Sequence, residues 1–358
     1  MSSEMKGSGW QTAFILLIAI AAIGGITYAA IRLRPDGERW TGSGGAQSEG
    51  RFCASSCPDC PTNVPLPQTS PLPIPKLSKG TSPWFISTNI APAPRISIVR
   101  NITGGAALRV DYAPYAVSTD SGVNFKANPV ILNNSLPSDS AILRYSVYFP
   151  PDFPWTKGGK LPGFCISDTA DGCATGSRWS NGSGSVRVMF RQEGRAIGYV
   201  YVPLQVAGAS PGLDGIAAVA AAQGPEFQKV SNLPSYTLSG IDLWCKASGG
   251  LQFQAGEWNN VTLLLRLNDI GQSNGVVSLT VNEQTRQMND MIWRIDKKVG
   301  INKLIFATFF GGNNPGWMIR EPTFSLFRNF GFAAPAAETA EAPTPTATAG
   351  GLTASTNT

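Results

Sequence analysis

The chain has 358 residues, only 14% of them charged, with 39 glycines, 27 prolines and a formal net charge of +5. It contains no histidine, which excludes Ser-His-Asp and Cys-His nucleophilic catalysis and every zinc site built on imidazole. The positive balance is not gathered into a Lys/Arg run, so no nucleic-acid partner is indicated, and acid–base chemistry falls to Lys, Tyr, Asp, Glu or Cys.

Residues 1–11 form a short N-terminal tail. Thr12 to Ile31 carry no charge, and that length matches a single membrane span. Trp10 and Tyr28 lie near its ends, where amphipathic rings favour the interface. Glu4 beside Lys6 and the length of the apolar run favour an uncleaved anchor over a signal peptide. Arg32, Arg34 and Arg39 follow the span, so the positive-inside rule places the C-terminal bulk on the cytosolic side. That orientation conflicts with a secreted enzyme and fits the cytosolic face of an internal or virion membrane. The side of the membrane stays open, between a cell-surface and a virion location.

Residues 32–80 read as a linker. GSGGAQSEG precedes Cys53, Cys57 and Cys60, and VPLPQTSPLPIPK follows them, a proline spacing suited to a semi-rigid polyproline stalk. The cysteine cluster lacks a fourth ligand, so disulfides are the expectation in an oxidising compartment and no metal is expected. Cys165 and Cys173 flank a short Asp- and Gly-containing loop that a disulfide would staple. Residues 334–358 are an Ala-, Thr- and Pro-rich tail with too little apolar bulk to pack.

Between 81 and 333 the chain alternates short apolar runs (ALRVDY, AILRYSVYF, VTLLLRL, VVSLTV, KLIFATFF) with Asn-, Gly- and Pro-rich turns. Helical periodicity is confined to GIAAVAAAQ, which reads equally as helix or loop. The pattern predicts an all-β domain, a sandwich of two antiparallel sheets. Asn101, Asn133, Asn181 and Asn260 open Asn-x-Ser/Thr sequons, meaningful only if this part enters the secretory lumen.

Within the domain, SVRVMFR and IGYVYVP alternate residue by residue around QEGRA, the mark of two paired strands. A period of two places Ser185 with Arg187, and Tyr199 with Tyr201, on shared faces. A guanidinium, a hydroxyl and two phenols on one sheet face suit an anionic, hydroxyl-rich ligand such as an acidic sugar chain. An exposed face with two interfacial tyrosines is the plainer reading.

AILRYSVYFPPDFPWTKGGKLPGF, SVRVMFR, YVYVP, GEWNNVTLLLRLND, VNEQT, IFATFFGGNN and FSLFRNF, in this order, resemble polysaccharide lyase family 14, which includes alginate and glucuronate lyases. The resemblance spans about residues 105–332. It implies a β-jelly roll with a concave groove for an acidic polysaccharide and no cofactor. It also implies catalytic roles for Lys160, Ser185, Arg187, Tyr199 and Tyr201. Two departures are expected beside the groove. FCISDTADGCATGSR replaces the family's Cys-Ser-Gly-Gly loop, and Phe190 stands where the family's strand has Trp. Asn313, Asn314 and Trp317 are candidate sugar contacts or parts of a structural loop.

Such a lyase cleaves by β-elimination. An arginine fork neutralises the uronate carboxylate, a role that suits Arg187, with Ser185 as an added donor. A base takes the C5 proton and an acid serves the leaving oxygen. Cations near Tyr199 or Tyr201 are expected to lower the phenol pKa and make one of them the base, with the other tyrosine or Lys160 as acid. The assignment stays open at this point. Two further readings stand beside the membrane-anchored lyase. One is a non-catalytic glycan-binding or structural virion or cell-surface protein on the same fold. The other is a glycoside hydrolase, which needs two facing carboxylates, and Glu226, Glu257 and Asp269 are scattered.

Overall fold

A computed structural model describes residues 68–334, except 103–104, 131–135, 226, 228–230, 233–239 and 245–249. Thr12–Ile31, Cys53, Cys57, Cys60 and Cys245 therefore lie outside the described residues. No helix among the described residues is long and apolar enough to cross a membrane.

The strands are β1 (Ser70–Pro71), β2 (Ile96–Ile102), β3 (Gly105–Tyr112), β4 (Val123–Ala127), β5 (Ser140–Tyr148), β6 (Gly159–Ser167), β7 (Ser183–Phe190) and β8 (Arg195–Tyr201). They continue with β9 (Ser231–Asn232), β10 (Ile241–Leu243), β11 (Leu251–Gln252), β12 (Trp258–Arg266), β13 (Gly275–Val281), β14 (Gln284–Met291), β15 (Gly300–Phe310) and β16 (Thr323–Ala333). The GIAAVAAAQ segment lies in a helix, α1 (Leu213–Ala222), that buries Ile216, Val219 and Ala220, the i, i+3, i+4 face.

Two antiparallel sheets form a jelly-roll-like sandwich. The first runs β14-β13-β12-β5-β16-β3-β2 with β1 on β16; the second runs β4-β15-β6-β7-β8-β10-β9 with β11 on β8. The period-two pattern decides which residues meet between them. Leu143, Tyr145 and Val147 of β5 and Val186, Val188 and Phe190 of β7 are all buried in one core. Each such side chain contributes about 1.5–3 kcal/mol by leaving water. Within the span read as linker, β1 pairs with β16 and Leu72 is buried, so the ordered sheet begins upstream of residue 81.

Polar ties close the sandwich. The Tyr112 hydroxyl, on β3, reaches Thr308 Oγ1 of β15 at 2.5 Å and Ser325 Oγ of β16 at 2.6 Å. Burial raises its pKa to about 12. Asn268, fully buried after β12, accepts from the Trp293 and Arg294 amides at 2.7 and 2.9 Å. Its Nδ2 donates to Asp269, Gln272 and Arg294 carbonyls. Asn268→Leu strands several backbone groups at once, and each buried orphan costs about 1–3 kcal/mol. The expected loss is about 3–5 kcal/mol, read as a lower urea midpoint with an unchanged slope.

Candidate active site

The two alternating segments pair as β7 and β8. Ser185 stands opposite Tyr201, Arg187 opposite Tyr199, and Met189 opposite Ile197. Directly opposed residues point to the same face, so four of the candidate polar groups gather on the side of the second sheet away from the core.

Lys160 joins them through an irregularity. On β6, Lys160 pairs with Met189 and Gly163 with Arg187. Three steps on β6 thus match two on β7. In a regular strand Lys160 and Gly163 would face opposite ways; one extra residue at Leu161–Pro162 turns both to the groove side. Proline, which has no N–H for the ladder, is tolerated at such a bulge. Gly163 is required here because a Cβ would lie 2.1 Å from Val186 O and 2.7 Å from Arg187 Cα.

The result is a grid. One row runs Lys126, Ile305, Gly163, Arg187, Tyr199, Asp242 across β4, β15, β6, β7, β8 and β10. A second row runs Cys165, Ser185, Tyr201. A third runs Phe309, Lys160, Met189, Ile197.

The side chains interlock. Lys160 Nζ lies 3.2 Å from the Tyr199 ring centroid and 2.6 Å from Met189 Sδ. The Arg187 guanidinium carbon is 5.7 Å from the same ring. The Tyr199 hydroxyl accepts from Gly240 N–H at 2.8 Å and lies 3.4 Å from the Tyr201 hydroxyl. Tyr201 accepts from Ser177 N–H at 2.9 Å, and Ser185 Oγ donates to Ala174 O at 2.6 Å. All five groups are buried: Lys160 is 8% exposed, Tyr199 7% and Arg187 3%.

This burial sets the electrostatics, and it reverses one expectation. Desolvation raises the Tyr199 pKa well above the ordinary phenol value; Tyr201 adds to the rise, and Arg187 opposes it too weakly to win. The neighbouring cations do not make a phenolate of Tyr199. They act on Lys160 instead, whose pKa is driven well below the usual lysine range by desolvation, then by Arg187 and Arg191, against a smaller pull from Asp242. The amine thus loses its proton more readily than an ordinary lysine, beside a phenol that keeps its proton more firmly than an ordinary tyrosine.

Arg187 is the most exceptional group. Its Nε is buried without a hydrogen-bond partner among the described residues. Burial lowers its pKa, and the groups pulling it back up are Tyr199 and Tyr201, with no carboxylate among them. A buried cation with no acid among the described residues is unfavourable, and a ligand carboxylate would relieve it.

Arg191 and Asp242 complete the site and were not assigned a role from the sequence. Arg191 Nη2 pairs with Asp242 Oδ2, and Asp242 is nearly inaccessible. The signal for Arg191 was present: Ser185, Arg187, Met189 and Arg191 are successive same-face positions. Asp242 sits on a three-residue strand, too short to show a period.

Trp317 stands at this end, its ring centroid 5.8 Å from the Arg191 guanidinium and 6.0 Å from Lys157 Nζ. Asn313 and Asn314 are exposed beside it. The Asn314 carboxamide accepts from Gly316 N–H at 3.1 Å and so caps its own short turn. Of the two sequence departures, only one faces the groove. Phe190 points into the core, against Phe149, Phe153, Trp155 and Phe310, because it has the parity of Val186 and Val188. The other departure, the loop after β6, is stapled by a Cys165–Cys173 disulfide with Cα atoms 4.8 Å apart.

A family model described as polysaccharide lyase 14 matches residues 101–330. The fold is similar to that of alginate lyase vAL-1 from a Chlorella virus, with a TM-score of 0.56 and 21% identity over 72% of this chain and 96% of that one. It is also similar to the PL-14 alginate lyase of Aplysia kurodai, with a TM-score of 0.54 and 24% identity over 68% of this chain and 88% of that one. Exolysin of Paramecium bursaria Chlorella virus 1 is 27% identical over 184 residues, 49% of this chain but only 26% of exolysin.

Proposed function

The chain belongs to polysaccharide lyase family 14, and on that premise we propose that it cleaves an anionic uronate polymer, alginate or polyglucuronate, by β-elimination. The observation that carries the proposal is the buried Arg187 guanidinium, whose Nε has no hydrogen-bond partner and which has no acid raising its pKa among the described residues. A uronate carboxylate is the group that would complete it, through a two-point fork.

The directions of the two pKa shifts support the remaining roles. Lys160, whose proton is held less firmly than that of an ordinary lysine, accepts the C5 proton in its neutral form. Tyr199, held protonated, donates to the leaving O4 as the C4–O4 bond breaks and the C4–C5 double bond forms. Exchange with solvent after product release removes the proton from Lys160 and returns one to Tyr199, which restores both groups. Ser185 and Tyr201, held by Ala174 O and Ser177 N–H, close the far side of the space the sugar ring enters. No water enters the products, which separates the reaction from hydrolysis.

Trp317, with Lys157 and Arg191 beside it, supplies a stacking surface for a neighbouring sugar. Trp317→Ala is expected to raise KM about 5–20-fold with kcat nearly unchanged, the loss of about 1–2 kcal/mol of ring and cation contact. Initial rates over a range of polymer concentrations give that split.

Thr12–Ile31 is proposed as the membrane anchor, on its length and lack of charge. The test of the activity is ultraviolet absorbance of the unsaturated uronate product when the full chain is incubated with alginate, polymannuronate and polyglucuronate. A rise on at least one polymer is expected. A folded chain that binds one of them and yields no absorbance would favour the non-catalytic glycan-binding reading, for which the burial of the site is the supporting observation.

A further inference from the structure

Residues 168–180 lie across the groove face of the second sheet, and their attachments can be followed strand by strand. Lys126 Nζ, on β4, donates to Asp171 O at 2.8 Å. Asn302 Nδ2, on β15, lies 2.6, 3.3 and 3.1 Å from the carbonyl oxygens of Thr169, Ala170 and Gly172. Cys173 is bonded to Cys165 on β6, and Cys165 stands directly opposite Ser185. Ala174 O takes the Ser185 hydroxyl of β7. Ser177 N–H donates to the Tyr201 hydroxyl of β8, and the Trp179 ring lies 4.8 Å from the Tyr201 ring. Leu204 N–H then fixes Ser180 O at 3.1 Å. One segment therefore crosses five strands and covers the row that holds Ser185 and Tyr201, next to the row of Arg187.

Among the described residues, no segment covers the opposite end of the same strands in this way. Arg191 keeps 16% of its side chain exposed, Trp317 and Lys157 are half-buried, and Asn313 and Asn314 are exposed. On the β10 side, Gly240 sits on both phenols; a Cβ there would lie 2.6 Å from Tyr201 Cε2 and 2.8 Å from Tyr199 Cζ.

We propose that segment 168–180 is a strap that makes the groove a blind pocket, entered from the Trp317 end, so that the protein takes a uronate polymer by a chain end and releases short unsaturated products. The inference rests on the lyase reading above. A through-groove lets a polymer lie across the site and be cut internally. A groove walled at Ser185 and Tyr201 admits only as many sugars beyond the cleaved bond as fit before the wall. Trp179 and the Cys165–Cys173 staple are then determinants of product length, acting by position and not by chemistry.

The experiment follows product length and viscosity together during digestion of a long uronate polymer by the full chain. The expected result is mono- and disaccharide products from the first time points, with viscosity falling only in proportion to product. Trp179→Ala, which thins the wall and leaves the staple, is expected to lengthen the early products by several sugars. Cys165→Ser/Cys173→Ser is a second route to the same opening. Long early products with a collapse of viscosity in the unsubstituted chain would overturn the strap. If no unsaturated product forms, binding of tetrasaccharide and polymer at equal sugar concentration separates the two claims. Binding that follows the number of chain ends would sink the lyase reading and support the blind pocket. Binding that follows total sugar, or no binding, would overturn the pocket as well.

Discussion

Arg187→Ala is expected to lower kcat/KM on a uronate polymer by about 10²–10³-fold, the usual effect of removing one charge-stabilising donor from a closed site. Arg187→Lys should recover only part of that loss, because an ammonium keeps the charge but not the two-point fork. Stability should move the other way or not at all. Among the described residues the guanidinium is buried with an orphan Nε and without an acid partner, so an apolar replacement of similar length relieves a desolvation penalty. Arg187→Met should therefore keep or raise the urea midpoint while losing activity. A fall in midpoint together with activity would mean that Arg187 holds the fold and not the substrate.

Lys160→Met is the second large effect. It removes the proposed base and should bring turnover to background, while packing an apolar chain against Met189 and Tyr199. The pH dependence separates this from a packing defect. Because the folded-state pKa of Lys160 is depressed well below the usual lysine value, the unfolded chain binds more protons between those two values. Stability due to this group therefore rises with pH across that window. The full penalty is present below the depressed pKa and is gone above the ordinary one. Lys160→Met should flatten that slope and raise stability at neutral pH. In the unsubstituted protein, kcat/KM should rise with pH as Lys160 loses its proton, below the usual lysine range. It should fall only where Tyr199 ionises, above the usual phenol range. A rising limb that survives in Lys160→Met would assign the base elsewhere.

Much of this site was legible in two alternating segments. The parity of Ser185, Arg187, Tyr199 and Tyr201 is a local property of strands, and the pairing of β7 with β8 delivers it. Lys160 was different. Its side faces the groove only because of the extra residue at Leu161–Pro162, and strand parity alone would have turned it toward the core. The proline inside an otherwise regular run was the available sign. The ionisation states were not legible, because they depend on burial. Arg187 beside a phenol suggests a phenolate until the burial of both groups removes the water. Nor was the strap legible, since its course is fixed by contacts from Lys126 to Tyr201 that are far apart in the chain. The Cys165–Cys173 spacing announced a staple but not what the stapled loop covers. Phe190 shows the same limit in reverse: a change in a motif beside Arg187 belongs to the core once the parity of β7 is applied.

The strap and the buried charges bear on one another. Water excluded around Arg187 strengthens every interaction there, and the same burial holds the Lys160 pKa well below the usual lysine range. A ligand carboxylate entering that space would meet the unpartnered Arg187 Nε, with the Lys160 amine and the Tyr199 phenol already in place.

The most direct measurement is the mass balance of cleavage. A uronate oligosaccharide of defined length is digested by the full chain and by Arg187→Ala, and the masses of each product pair are summed. Elimination at this site gives a sum equal to the substrate, with the unsaturated fragment present, and little or no product from Arg187→Ala. A sum heavier by one water, or equal yields from the two chains, would contradict it.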